Sequence, residues 1–352
     1  MNYINNNLSD ESLFTLNTTR ICKKDPIDLS IEVSKMSFTH MKPNAVILVN
    51  KNNLFDGIAS ASLVHFPINA PILLTDGNNL SKKTLDEIMR LYPKGYNGIQ
   101  AILVGNISKN IENQLNKVGL TTYHIVGRNH YETACAVATI KNGAKNILIV
   151  SGESLSEGTP ATFWSAHHGD PILYVNKNEI PRCVIDTIGQ KQEVNIYIVG
   201  STNTISESVE NFLSKLPNVG TIDRITGNNP YEISVNFAKY KDNQTEFGWG
   251  RDYKDGHAFT FSSLDNPMLI VPSVLFAHMG KHTPLILVRR NNVPTEVKEY
   301  IESVKPNPPM GMPKPPYMHG FIIGSIDEIF YNTQIDIEML LSIEHKMDDV
   351  MM

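Results

Sequence analysis

Residues 221–240 read TIDRITGNNPYEISVNFAKY, and the same pattern occurs twice more along the chain. Residues 122–140, TYHIVGRNHYETACAVATI, carry the matching Gly, Asn, Tyr and Glu one hundred positions earlier. Residues 19–38, TRICKKDPIDLSIEVSKMSF, form a diverged first copy in the same register. A period near one hundred residues is too long for a solenoid, and it predicts three tandem small domains.

Each copy has the sequence features of a helix start. Asp25, Asn129 and Asn229 stand where an N-cap belongs, and an acidic residue follows three positions later in each copy. We therefore expect a capped helix in every repeat, with the acidic side chain reaching back to the cap's own N–H. Two interpretations remain for Tyr131 and Tyr231, which are packing beside this cap and contact with a ligand.

Composition describes an ordinary globular protein of 352 residues, with 41% hydrophobic residues and a net charge of −5. This balance gives no electrostatic attraction to nucleic acid or to an acidic membrane. The three cysteines predict neither a disulfide framework nor a zinc site. No segment reads as a membrane span, and residues 1–18 lack the features of a secretion signal. Localisation stays open between the cell surface and the cytoplasm.

Short apolar segments alternate with amphipathic helical segments in the same order in all three repeats. The second repeat offers strands at 146–150, 171–175 and 194–200, and both other repeats have counterparts. Such segments are typical of mainly parallel sheets covered on both faces. The sequence thus predicts an α/β fold of three tandem α/β/α sandwich domains. We place an N-terminal arm at 1–18, the repeats at 19–121, 122–220 and 221–345, and a C-terminal tail at 346–352.

These motifs together resemble the cell wall binding repeat 2 family. The resemblance rests on the repeated helix start, on Pro-Ile-Leu-like runs within 70–75, 170–174 and 283–287, and on Gly-Ser after apolar runs at 197–201 and 321–325. It implies a pseudo-threefold triangular arrangement of three domains. It also implies non-catalytic, cofactor-free anchoring of Gram-positive surface proteins to an anionic wall polysaccharide or teichoic-type polymer. Members usually carry a signal peptide and an effector domain, and we recognise neither here.

Acidic-Gly loops follow the first strand of the first two repeats. In open α/β sheets, ligands bind at the carboxyl edge of the strands. A small polar-ligand or glycan site is therefore predicted at Asn53, Asp56, Ser154 and Glu157, with helix N-capping as the alternative interpretation. The repeated motif adds as further candidate ligand-binding residues Arg20, Arg224, Tyr131 and Tyr231.

Histidines recur near the end of the helix that follows this loop, at His65, His167 and His278. A pseudo-threefold axis could bring the three imidazoles together as a metal site suited to zinc. The alternative is that histidine at a helix C-terminus bonds the last free carbonyls. The second interpretation fits better, because gap-free alignment places His65 opposite Ala166 rather than His167.

Repeat three carries two insertions, at 241–256 and 305–319, that the other repeats lack. They hold the aromatic and cationic residues Phe247, Trp249, Arg251, Tyr253 and Tyr317, a composition enriched at interaction hot spots. We predict contact with a protein partner there, with a local lid over repeat three as the alternative. The N-terminal arm is a second candidate for joining subunits.

Three functions are compatible with the sequence. The first is binding of a surface polymer, and the second is self-assembly as a structural or scaffold protein through the termini and insertions. The third is an enzyme that acts on a sugar or nucleotide at the carboxyl edge of the strands. The enzyme is least favoured, because the sequence shows no specific nucleophile–base, metal or cofactor motif.

Overall fold

The computed structural model describes residues 15–141, 143–306 and 318–343. Its strands are β1 (Thr18–Ile21), β2 (Val46–Asn50), β3 (Ile72–Thr75), β4 (Ala101–Val104), β5 (Thr122–Ile125), β6 (Asn146–Ser151), β7 (Ile172–Val175), β8 (Val194–Val199), β9 (Val219–Ile225), β10 (Ala258–Ser262), β11 (Leu285–Leu287) and β12 (His319–Ile323). Its helices are α1 (Pro26–Ser37), α2 (Leu54–Ala59), α3 (Lys82–Leu91), α4 (Lys109–Lys117), α5 (His130–Ile140), α6 (Pro160–His168), α7 (Arg182–Gly189), α8 (Glu207–Leu213), α9 (Pro230–Lys239), α10 (Ile270–Ser273), α11 (Leu275–His278), α12 (Thr295–Val304) and α13 (Tyr331–Leu341). Short 3-10 turns occur at Ser60–Val64 and Pro267–Leu269.

The strands form three four-stranded sheets, in the orders β3-β2-β4-β5, β7-β6-β8-β9 and β11-β10-β12-β1. Neighbouring strands are parallel in each sheet. The central strands are buried along their length, as expected of parallel sheets covered by helices. The predicted α/β fold with three tandem parallel sheets is confirmed. No helix in the described ranges has the length and apolarity that a bilayer crossing requires.

The sequence repeat and the sheet are offset by one strand. β5 and β9 open the second and third repeats, yet they hydrogen-bond to the last strand of the preceding sheet. The helices that follow them, α5 and α9, pack on β7 and β11 of the next sheet. Each repeat therefore completes one sheet with its strand and covers another with its helix.

The same exchange closes the chain into a ring. β1, near the beginning of the described chain, pairs with β12, near its end, and Thr18 lies opposite Gly320. Its following helix, α1, packs on β3 of the first sheet. The third sheet is consequently built from both ends of the chain, which no contiguous domain boundary describes.

The predicted helix caps are present. Asp25 accepts hydrogen bonds from Ile27 N at 2.8 Å and Asp28 N at 3.2 Å. The Oδ1 atoms of Asn129 and Asn229 accept the N–H three residues on, at 3.0 Å and 2.9 Å. One detail differs from expectation, because the carboxylates at positions 132 and 232 reach the N–H of the residue before the cap. The cap's own N–H is not their partner.

The three repeats meet through short helical segments at the centre of the ring. α6 contacts both the 3-10 turn at Ser60–Val64 and α11, while α2 contacts α10. The approach of α2 to α10 is close, since a Cβ on Gly57 would lie 2.9 Å from Val271 Cγ2. Across another junction, the Tyr174 hydroxyl donates to Phe55 O at 2.6 Å. These mutual contacts arrange the three sheets around a pseudo-threefold axis.

The first insertion of repeat three is partly core, which corrects the prediction of an exposed partner surface at Phe247 and Trp249. Phe247 is fully buried and stacks on Tyr197 with ring centroids 3.6 Å apart. Trp249 is 8% exposed and stacks on His167 at 4.7 Å. Both rings fill space against the second repeat, a packing role that local sequence does not reveal.

The other residues predicted to contact a protein partner are more exposed than Phe247 and Trp249, or lie outside the described residues. Tyr253 is 46% exposed, and its hydroxyl accepts a hydrogen bond from Arg251 Nη1 at 3.2 Å. Arg251 is half-buried, and its carbonyl accepts from the Tyr300 hydroxyl at 2.6 Å. Tyr317 lies outside the described residues, as do most of the N-terminal arm, residues 307–317 of the second insertion and the C-terminal tail.

Candidate functional site

At the carboxyl edges of the first two sheets, where a ligand site was predicted, the two candidate carboxylates are engaged in internal hydrogen bonds. In the second repeat, Glu157 accepts from Ser201 N at 2.7 Å and from Thr204 Oγ1 at 2.7 Å. In the first repeat, Asp56 is 2% exposed and accepts from the backbone N–H of Asn106. These carboxylates bind the peptide that follows the third strand of their sheet, and they close the crevice beside it.

The third sheet uses a carboxylate from another position for the same purpose. Glu328 is 7% exposed and accepts from Ser325 N at 2.9 Å. It follows β12, whereas Asp56 and Glu157 follow the first strand of their sheets. Glu328 was not among the predicted site residues, although Gly-Ser at 324–325 matches Gly-Ser at 200–201 and marks the position that needs such a partner.

A cation or imidazole holds the other side of the same peptide in every sheet. Arg20 Nη1 donates to Gly324 O at 3.0 Å, and Arg224 Nη1 donates to Gly200 O at 3.0 Å. In the first sheet, His124 Nε2 lies 2.8 Å from Gly105 O. All three donors lie on the fourth strand of their sheet, which belongs to a different sequence repeat from the other three strands. We call this arrangement, in which a fourth-strand donor and a carboxylate bind the two sides of one peptide group, the junction clamp.

The junction clamp corrects the assignment of Arg20 and Arg224 to ligand binding. Arg20 is fully buried and also donates to Ser325 O, Ile329 O and Gln334 Oε1, at 2.8, 2.9 and 2.7 Å. Burial lowers the pKa of Arg20 to about 10, so it stays charged at neutral pH. Arg224 has a side chain 10% exposed and pairs with Glu210 at 2.7 Å. Both arginines are committed to internal acceptors.

The glycine of the junction clamp has a steric role that is clearest at Gly105. Its φ is +77°, and a Cβ there would lie 1.7 Å from Asp56 Oδ2. Only glycine accepts both the left-handed backbone and the close carboxylate. Burial raises the pKa of Asp56, because little water reaches its carboxyl group. Its Oδ1 atom has no hydrogen-bond partner in the described chain.

The remaining predicted site residues do not converge on one ligand site. Asn53 caps α2 by accepting from Asp56 N at 3.3 Å, which is the alternative that the sequence left open. Ser154 is exposed, with its hydroxyl 3.3 Å from Ser156 Oγ. Tyr131 donates from its hydroxyl to Asn176 Oδ1, and Tyr231 lies beneath Arg289.

Five histidines cluster where the three repeats meet. The ring centroid of His65 is 4.9 Å from that of His278 and 6.5 Å from that of His168. His167 turns away from His65, with its Nδ1 2.9 Å from Ala277 O and 3.3 Å from Nδ1 of His282. The tris-imidazole centre of His65, His167 and His278, which the sequence left as the less favoured alternative, is therefore not assembled. Nowhere in the described ranges do three His, Cys, Asp or Glu side chains converge as a metal site.

Burial sets the protonation of this histidine cluster. It lowers the pKa of His167 and of His278 to about 4, and it also lowers the pKa of His65. His168 is the exception, because its hydrogen bond to Asp170 at 2.9 Å raises its pKa. At neutral pH, uncharged imidazoles thus form most of the junction between repeats.

A large groove of 1310 Å³ lies along the second repeat, bordered by residues of the first and third, at the opposite end of the strands from the predicted site. It runs past the amino ends of β6 and β8, beside α5 and the turn at Phe66 and Pro67. Its lining is rich in lysines, amides and hydroxyls, and these polar residues are Lys141, Lys145, Lys191, Asn146, Asn195, Gln190, Gln192, Gln244, Thr221 and Thr245. The groove was not predicted from the sequence, because its lining comes from all three repeats.

Comparison with known proteins identifies part of the chain with a family. Residues 124–210 match the family model described as cell wall binding domain 2. This range holds β6, β7 and β8 of the second sheet together with the capped helix α5. The resemblance inferred from the repeated motifs is confirmed.

Two relatives come from Bacillus subtilis (strain 168). The N-acetylmuramoyl-L-alanine amidase LytC is 29% identical over 213 residues, which cover 60% of this chain and 40% of that protein. The amidase enhancer is 31% identical over 200 residues, covering 56% of this chain and 26% of that protein. The chain therefore spans well under half the length of each relative.

Two solved structures from Clostridium difficile share the whole architecture. Cwp8 superposes with a TM-score of 0.76 at 22% identity, covering 94% of this chain and 53% of that one. Cwp6 gives a TM-score of 0.77 at 19% identity, covering 94% and 48%. At such low identity the likeness establishes the fold, and the chain again spans about half of each.

Replacing Arg20 by Ala tests the junction clamp. The substitution leaves Gly324 O and Ile329 O buried without the Arg20 donor, while Ser325 O keeps the N–H groups of Glu328 and Ile329, so we expect the free energy of unfolding to fall by about 3–5 kcal/mol. Urea denaturation followed by circular dichroism measures it. Lys24→Ala removes a neighbouring surface ion pair with Asp327 and serves as the control that leaves the midpoint unchanged. Equal midpoints for the two variants would contradict the role of Arg20.

The histidine cluster predicts loss of stability in acid. An unfolded histidine titrates near pH 6.5, whereas His167 and His278 in the folded chain titrate near 4. The unfolded state thus binds more protons between these values, and the free energy of unfolding decreases as the pH falls from about 6.5 to about 4. Thermal melts across this range measure the slope. We expect the double variant His167→Gln, His278→Gln to have a shallower slope, and an unchanged slope would refute the assignment.

Proposed function

We propose that the chain, of which residues 124–210 match the family model described as cell wall binding domain 2, is a binding module that holds an anionic wall polysaccharide in its large groove. The observation that carries the proposal is the groove itself. It has 1310 Å³ of open volume and a lining of cations, amides, hydroxyls and exposed aromatic surface.

The chemistry of the lining suits an anionic glycan. Amide and hydroxyl groups match sugar hydroxyls, and lysine provides the cation for carboxylate or phosphate groups. Phe66 is 68% exposed at the rim, with Tyr96 nearby, and such rings offer apolar faces to sugar C–H groups. Lys145 is exposed on the groove wall. Extended polymers need this type of open, polar surface rather than a closed pocket.

The carboxylates of the groove leave it attractive to an anion. Asp170 is 1% exposed and accepts from Trp164 Nε1 at 2.8 Å and from Asn146 Nδ2 at 3.3 Å. It also pairs with His168, so its negative charge is satisfied internally. Glu193 remains as an exposed carboxylate, against Lys141 and Lys145, while Lys191 adds a buried charge behind the wall, where its Nζ donates to the carbonyls of Lys141 and Ala144. The local balance is positive, although the whole chain has a net charge of −5.

We assign no reaction to the groove. The groove contains one histidine beside a carboxylate, His168. Its Nδ1 lies 2.9 Å from Asp170 Oδ2 and its ring stacks on Trp164, so it supports the wall of the groove. The names of the two relatives describe an amidase and an amidase enhancer, and the matched regions cover 40% and 26% of those proteins. We propose that the shared part serves binding and that the amidase chemistry of LytC belongs to the rest of that protein.

Two variants test the groove, one that neutralises a lysine and one that neutralises a glutamate. Lys145→Gln removes a charged donor, so we expect the affinity for extracted anionic wall polysaccharide to fall about tenfold. Glu193→Gln removes a repelling carboxylate and raises the affinity. Binding also weakens as sodium chloride increases, because salt screens the exposed charges. Isothermal titration calorimetry at several salt concentrations measures all three effects.

The control for this experiment is Lys298→Gln, which removes a similar exposed lysine from α12 in the third repeat. It should leave polysaccharide affinity unchanged while keeping the same change in net charge. If Lys145→Gln and Lys298→Gln weaken binding equally, attraction depends on overall charge and the groove is not the binding surface.

A second candidate function is self-assembly, and one observation favours it. The exposed face of α13 carries Tyr331, Ile335 and Met339, which are 49%, 39% and 67% exposed. Residues four apart lie on one side of a helix, so these side chains form an apolar stripe. Such a stripe on the surface is typical of a contact between proteins.

Self-association through α13 predicts a concentration-dependent mass. Static light scattering of the full chain should show dimers or larger species that Met339→Glu converts to monomers, because a charge in an apolar contact loses its hydration. Met89→Glu is the control, since Met89 is a 46% exposed methionine on α3 of another repeat. A monomer at every concentration tested eliminates this candidate.

A further inference from the structure

A second cavity lies at the carboxyl edge of the third sheet, far from the groove. It has a volume of 510 Å³ and is lined by Tyr231, Ser263, Asp265, Arg289, Arg290, Asn291 and Phe330. The lining loops follow β10, β11 and β12. In the sheet, β10 lies between β11 and β12, so the chain goes from β10 to β11 on one side and later to β12 on the other side. This is the switch point where open α/β sheets bind ligands.

Comparison between repeats shows what is special about this edge. The runs 170–181 and 283–294 align without gaps, which places Arg289 opposite Asn176 and Arg290 opposite Lys177. In the second repeat, Asn176 accepts a hydrogen bond from the Tyr131 hydroxyl. In the third repeat, the guanidinium of Arg289 instead lies over the ring of Tyr231, 4.9 Å from its centroid. The corresponding residues of the first repeat are Asp76 and Gly77.

The two arginines differ in how their charge is satisfied. Arg290 pairs with Asp265 at 2.8 Å, which neutralises the one carboxylate that lines the cavity. Arg289 is exposed and has neither an ion pair nor a side-chain hydrogen bond within the described ranges. Its ring contact and the hydrogen bond from its N–H to Asn292 O at 3.1 Å fix the loop. A positioned guanidinium with free donors favours bidentate binding of an oxyanion.

Other lining groups complete a surface for a sugar. Phe330 is 44% exposed, and its N–H donates to Arg290 O at 2.8 Å, which holds its ring beside the arginine loop. Ser263 and Asn291 contribute a hydroxyl and an amide. The apolar ring face, the polar groups and the guanidinium match a pyranose that bears one negative group.

We propose that the third repeat binds an anionic monosaccharide unit at this cavity, with Arg289 contacting its carboxylate or phosphate and Phe330 facing the sugar ring. The site is separate from the groove and does not depend on it. Free acidic sugars and acidic residues at the end of a polymer share this chemistry.

The experiment uses the whole chain and three probes. Glucuronate, glucose 1-phosphate and glucose are titrated into isotopically labelled protein, and shifts in the amide resonances of residues 289–291 report binding. We expect both anionic probes to bind at millimolar concentration and glucose to bind at least tenfold more weakly, because it lacks the charged group. Saturable shifts with glucuronate alone or glucose 1-phosphate alone identify which oxyanion the site prefers, and either supports the proposal.

Three variants separate this site from general charge. Arg289→Gln should weaken glucuronate binding about 10- to 100-fold, and Asp265→Asn should strengthen it by releasing Arg290 from its ion pair. Lys177→Gln changes the same charge at the matching edge of the second repeat and should have no effect. Absence of saturable shifts with both anionic probes, or equal binding by Arg289→Gln, overturns the proposal. Because Arg289→Gln leaves the groove intact, polysaccharide binding at the groove can survive either result.

Discussion

The fold depends on how the hydrogen-bonding groups of one peptide unit in each sheet find their partners. Where the third strand ends, a glycine carbonyl and the following N–H have left the ladder of sheet hydrogen bonds, and buried backbone groups need partners. The carbonyl receives Arg20, His124 or Arg224 from a strand of a different repeat, and a carboxylate receives the N–H. Because the donor comes from another repeat, satisfying the backbone also joins the repeats. The same hydrogen bonds therefore satisfy the backbone at the end of each third strand and join the repeats into a ring.

Sequence predicts what is decided locally and misses what is decided across repeats. The caps at Asn129 and Asn229 are readable, because a side chain accepts from an N–H three residues away. The parallel sheets can also be predicted from local sequence, because short apolar strands recur at regular spacing. Arg20 instead carries a charge that suggests a ligand, and its acceptors near residue 324 lie some three hundred positions along the chain. The burial of Phe247 under Tyr197 is equally nonlocal.

The three repeats share a backbone but expose different chemistry at equivalent points. At one loop position the chain carries Asp76, Asn176 and Arg289 in turn, which gives a negative, a neutral and a positive edge. The histidine cluster, by contrast, draws on all three repeats at their common centre. Repetition thus provides a stable frame, and the substitutions that leave the frame intact decide which surface can take a ligand. The fold by itself does not name a function.

The pairing of β1 with β12 has a mechanical consequence. A force that pulls on the chain at Thr15 acts along the axis of β1, because β1 runs parallel to its partner. The hydrogen bonds between the two strands are then loaded together in shear, rather than opened one at a time, and the buried Arg20 must be withdrawn with them. Forced unfolding is governed by the rate of crossing this barrier. Resistance of the third sheet to pulling is therefore set by this strand pair and by the buried arginine that spans it.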